Sequence, residues 1–183
     1  MYDAIVLAGG VNSEQLRQYS RAEYEALIEI GGKPMVSFVV DALLNVAEIR
    51  NVVVVGPRSE LSKCLVDSRI KIVESGNGII DNVLVALDNM QPTEKVVIAT
   101  ADIPMLTPEA IKDFLERCSQ IDADFYYPIV AKEENEKQYP GMRRTYVKLR
   151  EGTFTGGNIF LVNPQVVLNC VEAAKRIIVY RKQ

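Results

Sequence analysis

Apolar positions along the chain follow two alternating patterns: short continuous runs, and stretches at helical spacing. Ala4-Ile5-Val6-Leu7-Ala8 is apolar throughout and stops at Gly9-Gly10, which predicts a buried strand and a turn. Residues 11–24 are polar and irregular. Pro34 then opens a helix at its first turn, where a missing N–H costs nothing, and the helix runs from residue 35 to about 47. Apart from a polar stripe of Ser37, Asp41 and Asn45 it is apolar nearly all round, so it should be covered on most sides. Residues 51–57 carry the β-branched run Val52-Val53-Val54-Val55 and end in Gly56-Pro57, as expected of a strand buried on both faces of a parallel sheet.

The alternation continues with a short helix over 59–66, a strand over 70–73 and a helix over 79–90. The last of these puts Ile80, Val83, Leu84 and Leu87 on one face. Residues 96–99 form the next buried strand. Thr107 caps a helix that begins at Pro108, and Ile111, Phe114, Leu115, Cys118 and Ile121 keep its period. Strand and helix repeated in this way predict a three-layer α/β/α architecture. Its sheet is mainly parallel and Rossmann-like, with right-handed crossovers.

After residue 122 the pattern changes. Residues 125–131 read as a strand and residues 132–142 as a charged loop. Over 144–150 the chain alternates, with Thr145, Val147 and Leu149 facing one way and Arg144, Tyr146, Lys148 and Arg150 the other. Gly156-Gly157 precedes a strand over 158–162, and a last helix runs from Pro164 to the terminus. No linker-like composition separates this part from the first, so it is expected to be an antiparallel C-terminal extension within a single domain spanning 1–183. The last helix finishes at Val179-Tyr180-Arg181-Lys182-Gln183 without Gly or Pro, as a chain cut short of its natural end would do.

Composition narrows the chemistry. Apolar residues make up 48% and charged residues 25%, which excludes a disordered tail or a coiled coil. A net charge of −3 argues against a nucleic-acid partner. No run is long enough for a membrane span, and the N-terminus has no signal-peptide pattern, so a cytoplasmic protein is expected. Cys64, Cys118 and Cys170 lack metal or redox spacing and are expected to be reduced and mostly buried. There is no histidine, which removes Ser-His-Asp and Cys-His nucleophiles and His-ligated zinc. Carboxylates, Lys, Arg, backbone amides or a hard cation must do any chemistry.

Four features fit that inventory. Gly9-Gly10, just past the first strand, would let the backbone come close to a phosphate or base, or would simply form a tight turn. Asp102, in Thr100-Ala101-Asp102-Ile103-Pro104, lies past another apolar strand at the same sheet edge. There it would ligate Mg²⁺ alongside phosphate oxygens or hydrogen-bond its own turn. Lys33, in Gly31-Gly32-Lys33-Pro34, could reach a phosphate or stay solvated. Phe154-Thr155-Gly156-Gly157-Asn158 is either a bulge or a backbone surface for a polyol or phosphate.

Taken together, Leu-Ala-Gly-Gly after the first strand, Gly-Lys-Pro-Met, a Val-rich strand ending in Gly, Ala-Asp-Ile-Pro and Thr-Gly-Gly-Asn resemble the nucleotidyltransferase family of glycosyltransferase-A-like fold. The similarity covers essentially the whole chain and is nearest the molybdenum-cofactor guanylyltransferase-like branch. It implies a nucleotide-diphospho-sugar transferase-like fold and transfer of a nucleoside monophosphate from a nucleoside triphosphate to a small phosphorylated acceptor, with release of pyrophosphate. By the same resemblance, Leu7, Ala8, Gly9 and Gly10 would bind the nucleotide, with Gly76, Asn77, Gly78 and Asn82 reading its base. Asp102 would hold Mg²⁺, and Gly156, Gly157 and Asn158 would face the acceptor. A monomer or homodimer is expected.

The chain departs from that family in three places, one being the second metal-binding aspartate that the family usually carries near its C-terminal end, which this sequence stops short of. Val11-Asn12-Ser13-Glu14 stands where the family has Gly-[Ser/Thr]-Arg, and Glu25 stands eight residues before Lys33, where the family has a catalytic lysine. Lys33 and Arg17 are then the expected catalytic cations, with Arg21 and the Arg144, Lys148 and Arg150 face in reserve. The rival reading is a non-catalytic nucleotide-binding regulatory or scaffold protein of the same fold. A glycosyltransferase using a nucleotide-sugar donor is weaker, because Ala101-Asp102-Ile103 lacks a second carboxylate.

Overall fold

The first half alternates as its hydrophobic pattern requires. In order it contains β1 (Tyr2–Leu7), β2 (Glu29–Ile30), β3 (Lys33–Pro34), α1 (Met35–Leu44), β4 (Ile49–Val55), α2 (Arg58–Leu61), β5 (Ile70–Val73), α3 (Ile79–Met90), β6 (Val96–Thr100) and α4 (Pro108–Ser119). Then follow β7 (Phe125–Tyr126), β8 (Ile129–Ala131), α5 (Lys132–Gln138), β9 (Val147–Leu149), β10 (Gly152–Gly156) and β11 (Ile159–Val162). The structure is a computed structural model, and it describes residues 1–171, of which 164–171 are helical. The expected continuation of that helix to residue 183 lies outside the described residues.

The main sheet has the order β5-β4-β1-β6-β11-β7. β5, β4, β1 and β6 pair in parallel, whereas β11 and β7 join antiparallel. Alternation along each strand sorts side chains into two layers. Ala4, Val6, Val52, Val54, Val97, Ala99 and Leu161 join α1 and α4 in one core. Ile5, Val53, Val55, Val96, Ile98 and Val162 join α3 in the other. Both faces of the central strands are therefore buried, which is why they read as unbroken apolar runs. A three-stranded antiparallel sheet, β8-β10-β9, stands apart.

Several boundaries differ from the sequence reading. α1 ends at Leu44, where Asn45 Nδ2 donates to Asp41 O at 2.8 Å. Pro34 sits one position before the helix and pairs with Glu29. The helix at 59–66 is only the single turn α2. Ile121 falls beyond α4 and is exposed. The strand expected over 125–131 breaks at Tyr127-Pro128 into β7 and β8, which belong to different sheets, because proline lacks the N–H a continuous ladder needs. Residues 132–138 are helical rather than loop. Of the alternating stretch 144–150 only β9 forms, and Val147 and Leu149 are exposed. Of the cysteines only Cys118 is buried. Cys64 is half-buried and Cys170 exposed. Burial pushes the thiols of Cys64 and Cys118 above their usual range.

Candidate active site

β1 runs between β4 and β6: the chain passes from β1 to β4 and β5 on one side and then crosses back to β6 on the other, so the carboxyl ends of β1 and β6 flank a crevice. Backbone bonds tie this edge together. Ala8 N donates to Val55 O at 2.7 Å, and Ala101 N donates to Leu7 O at 3.1 Å. The crevice is a cavity of about 400 Å³. Leu7, Ala8, Gly9 and Gly10 form one wall, and Thr100, Ala101 and Asp102 face them from the end of β6. Gly76, Gly78, Ile79 and Asn82 close it at the start of α3, Glu25 and Ala26 approach from a 3-10 turn, and Phe160 reaches in from β11.

Each wall has a local cause. Gly78 has φ +132°, a conformation that side chains rarely adopt, and it launches α3 toward the cavity. Asn82 is buried, and its Oδ1 accepts from Gly76 N at 2.7 Å, fixing the turn before the helix. The first turn of α3 carries N–H groups that no helix carbonyl satisfies, and its dipole favours an anion there. Glu25 is placed by its own backbone, whose N–H donates to Gly10 O at 3.0 Å. Ser13 N–H donates to Glu25 Oε1 at 3.3 Å.

The preceding loop is gathered on buried Asn12. Its Nδ2 donates to Ser20 O at 3.2 Å and Ala22 O at 2.8 Å, its backbone N–H donates to Glu23 O, and its carbonyl accepts from Arg17 Nε at 3.1 Å.

The cavity thus gathers Leu7, Ala8, Gly9, Gly10, Gly76, Gly78, Asn82 and Asp102. The other residues singled out from the sequence are not among its lining. Asn77 lies between two lining glycines but is not one of them. Arg17 is spent on the Asn12 carbonyl. Lys33 Nζ pairs with Asp41 Oδ2 at 2.5 Å and lies 4.5 Å from the centroid of Phe38, in a separate hollow. Asn158 acts behind the wall, where its Nδ2 donates to Thr100 Oγ1 at 3.1 Å. Gly156 and Gly157 make room for neighbours. A Cβ at Gly156 would run into the Tyr127 hydroxyl, and one at Gly157 would meet Pro128 Cγ at 3.0 Å.

Sequence reasoning missed Phe160. Alternation in the sequence signals only that it faces away from Ile159 and Leu161; the pairing of β11 with β6 makes that the α3 side.

The electrostatics are unusual for a phosphate site. Among the described residues, Glu25 and Asp102 are the charged side chains lining the cavity, and no Lys or Arg does. Among those residues no three His, Cys, Asp or Glu cluster to hold a metal by themselves. A lone carboxylate such as Asp102 suits a hard cation only where phosphate oxygens complete its shell, the usual environment of Mg²⁺.

A model of the family described as the MobA-like NTP transferase domain matches residues 4–172. A hypothetical transferase from Thermus thermophilus superposes with a TM-score of 0.83 at 36% identity, covering 100% of this chain and 74% of that one. The structure of CMP:2-keto-3-deoxy-manno-octonic acid synthetase complexed with CTP gives a TM-score of 0.68 at 14% identity, covering 94% of this chain and 78% of that one, a likeness of fold. The bifunctional protein GlmU of Thermoanaerobacter pseudethanolicus is 28% identical over 115 residues, 61% of this chain. The match spans about a quarter of that curated relative, 24% of its length. Among the described residues no helix is long and apolar enough to cross a membrane.

Proposed function

The chain belongs to the MobA-like NTP transferase domain family, and on that footing we propose that it moves a nucleoside monophosphate from a nucleoside triphosphate onto a small phosphorylated acceptor. An acceptor phosphate oxygen attacks the α-phosphorus. The bond from that phosphorus to the α,β-bridging oxygen breaks, and its electron pair leaves with pyrophosphate. The observation carrying this reading is that the glycine wall, the start of α3 and Asp102 share one cavity.

Backbone amides of Gly9 and Gly10 approach the nucleotide where no side chain intervenes, and the α3 N-terminus favours its charge. Asn82 holds the turn that borders the base. Asp102 is the residue that would hold Mg²⁺, with phosphate oxygens completing the shell. When bound, that cation offsets charge on the triphosphate. The protein's own share is alignment of the two phosphates, which is where most of the rate gain in such reactions arises.

The test is pyrophosphate release with each of the four nucleoside triphosphates against a panel of sugar 1-phosphates. Turnover with at least one pair is expected, and Asp102→Asn should reduce it by about a hundredfold while leaving thermal unfolding unchanged. A second reading, nucleotide binding without turnover, draws on the acidic lining and on the placement of Lys33 and Arg17 away from the cavity. Tight triphosphate binding with no pyrophosphate from any pair would establish it.

A further inference from the structure

From the cavity wall outward runs a stack of aromatic rings, of which Phe160 lines the cavity and Tyr127 and Phe125 do not. Phe160, which lines the cavity, stacks on Tyr127 with centroids 5.1 Å apart and planes at 23°. On Phe125 it stacks at 5.9 Å and 26°. Phe125 is 54% and Tyr127 47% exposed, so the stack offers ring surface to solvent beside Phe160, the ring it shares with the cavity wall. Exposed contiguous aromatic surface is unfavourable in water and is characteristic of a place where something docks.

The seat of Tyr127 is specific. Gly156 leaves the space that the tyrosine hydroxyl and ring occupy, and a Cβ there would abolish it. The same glycine anchors a cation, because Arg144 Nη2 donates to Gly156 O at 2.8 Å and Arg144 Nε donates to Thr155 Oγ1 at 3.3 Å. Arg144 is exposed, and a guanidinium carries more donors than those two bonds consume. Gly156 therefore holds both a tyrosine ring and a guanidinium, near a cavity whose lining, among the described residues, holds no cation.

We propose that this is the acceptor subsite and that it takes a phosphorylated ring: the flat face of the ring rests on Tyr127 and its phosphate meets Arg144. The inference rests on the nucleotidyltransferase reading, since it is the second substrate of that reaction that would lie here. An acyclic phosphate could satisfy Arg144 but would leave the ring surface bare. A pyranose, through its C–H face, and a heteroaromatic ring both present the chemistry the stack recognises.

Calorimetric titration of the full chain, with Mg²⁺ and a non-hydrolysable triphosphate present, distinguishes them. The probes are α-D-glucose 1-phosphate, pyridoxine 5′-phosphate and glycerol 3-phosphate. At least one ring phosphate should bind about tenfold more tightly than glycerol 3-phosphate, the scale of a ring stacked on an aromatic side chain. Which of the two binds identifies the ring class. Tyr127→Ala should erase the preference and Tyr127→Phe should retain it, while triphosphate affinity stays unchanged in both. Gly156→Ala, which evicts the ring without removing it, should act like Tyr127→Ala. Arg144→Gln should weaken all the probes that bind. Far-UV circular dichroism melting checks that each variant is folded.

The proposal is overturned if glycerol 3-phosphate binds as well as both rings, if no probe binds, or if the preference survives Tyr127→Ala. If the wild-type chain binds none of the four triphosphates, the nucleotidyltransferase reading falls first and takes this one with it.

Discussion

A methyl group added at Gly56 would meet the carbonyl carbon and oxygen of Ala8 and Leu61 Cδ1, each at 2.9 Å. Two of those atoms are backbone at the end of β1, so the glycine is fixed by close approach of chains rather than by its torsion angles. At Gly10 the same methyl group would meet nothing within 4 Å, because that glycine faces the cavity. Gly56→Ala is therefore expected to cost about 1–3 kcal/mol in urea denaturation. Gly10→Ala should change stability by less than about 0.5 kcal/mol yet weaken triphosphate binding measured by calorimetry. Equal stability losses would contradict this assignment.

Glu25 gives the complementary case at the same scale. It reaches the cavity through its backbone bond to Gly10, so a lysine there would arrive at the same place. Reversing the charge beside a phosphate should tighten triphosphate binding by about tenfold in Glu25→Lys, a cautious fraction of the Coulomb term. Unchanged affinity would mean that the phosphates lie away from this wall.

At the scale of elements, the loop between β1 and β2 is held by one buried side chain. Asn12→Ala removes both Nδ2 bonds, to Ser20 O and Ala22 O. A loss of about 1–3 kcal/mol is expected, together with faster cleavage by trypsin after Arg17 or Arg21 in limited proteolysis of the folded chain. Unaltered proteolysis would show that backbone pairing, through the Val11–Tyr24 bridge and the Asn12 N–H bond to Glu23 O, closes the loop without the side chain.

Elements were legible where burial enforced a period. α3 and β5 match their sequence boundaries because α3 buries an apolar face on the sheet and β5 sends Ile70 and Ile72 to one core and Val73 to the other. α5 was not legible, since Lys132 to Gln138 is polar on every face and buries only Asn135. Its support is the Lys132–Glu136 pair and the bond from Asn135 Nδ2 to Tyr146 Oη, neither of which leaves a hydrophobic signature. The turn at Tyr127-Pro128 was written in the sequence as a proline, yet the split it causes between two sheets depends on pairing partners far along the chain.

Over the whole molecule, the shared edge could be anticipated, because Gly9-Gly10 and Asp102 both follow apolar strands whose carboxyl ends lie together in a parallel sheet; that β1 and β6 are neighbours there comes from the strand order. Which cations accompany it could not. Lys33 is the cation that the motif spacing suggests, but α1 offers it Asp41 as a partner instead. Phe160 enters because β11 runs antiparallel beside β6, opposite Ile98, a placement fixed by tertiary pairing alone.

The acidic lining of that crevice has a consequence for how ligand binding responds to ionic strength. A nucleotide site built on Lys and Arg weakens as salt is added, because the attraction is screened. Here the screened term is repulsion, between the triphosphate and Glu25 and Asp102, in a chain whose net charge is itself −3. The Debye length contracts from roughly 30 Å at 0.01 M to about 8 Å at 0.15 M, which is enough to mute that repulsion. With divalent ions removed by chelation, affinity for a triphosphate should therefore rise as sodium chloride is increased across this range. A falling affinity would reveal a basic group reaching the phosphates from beyond the cavity wall.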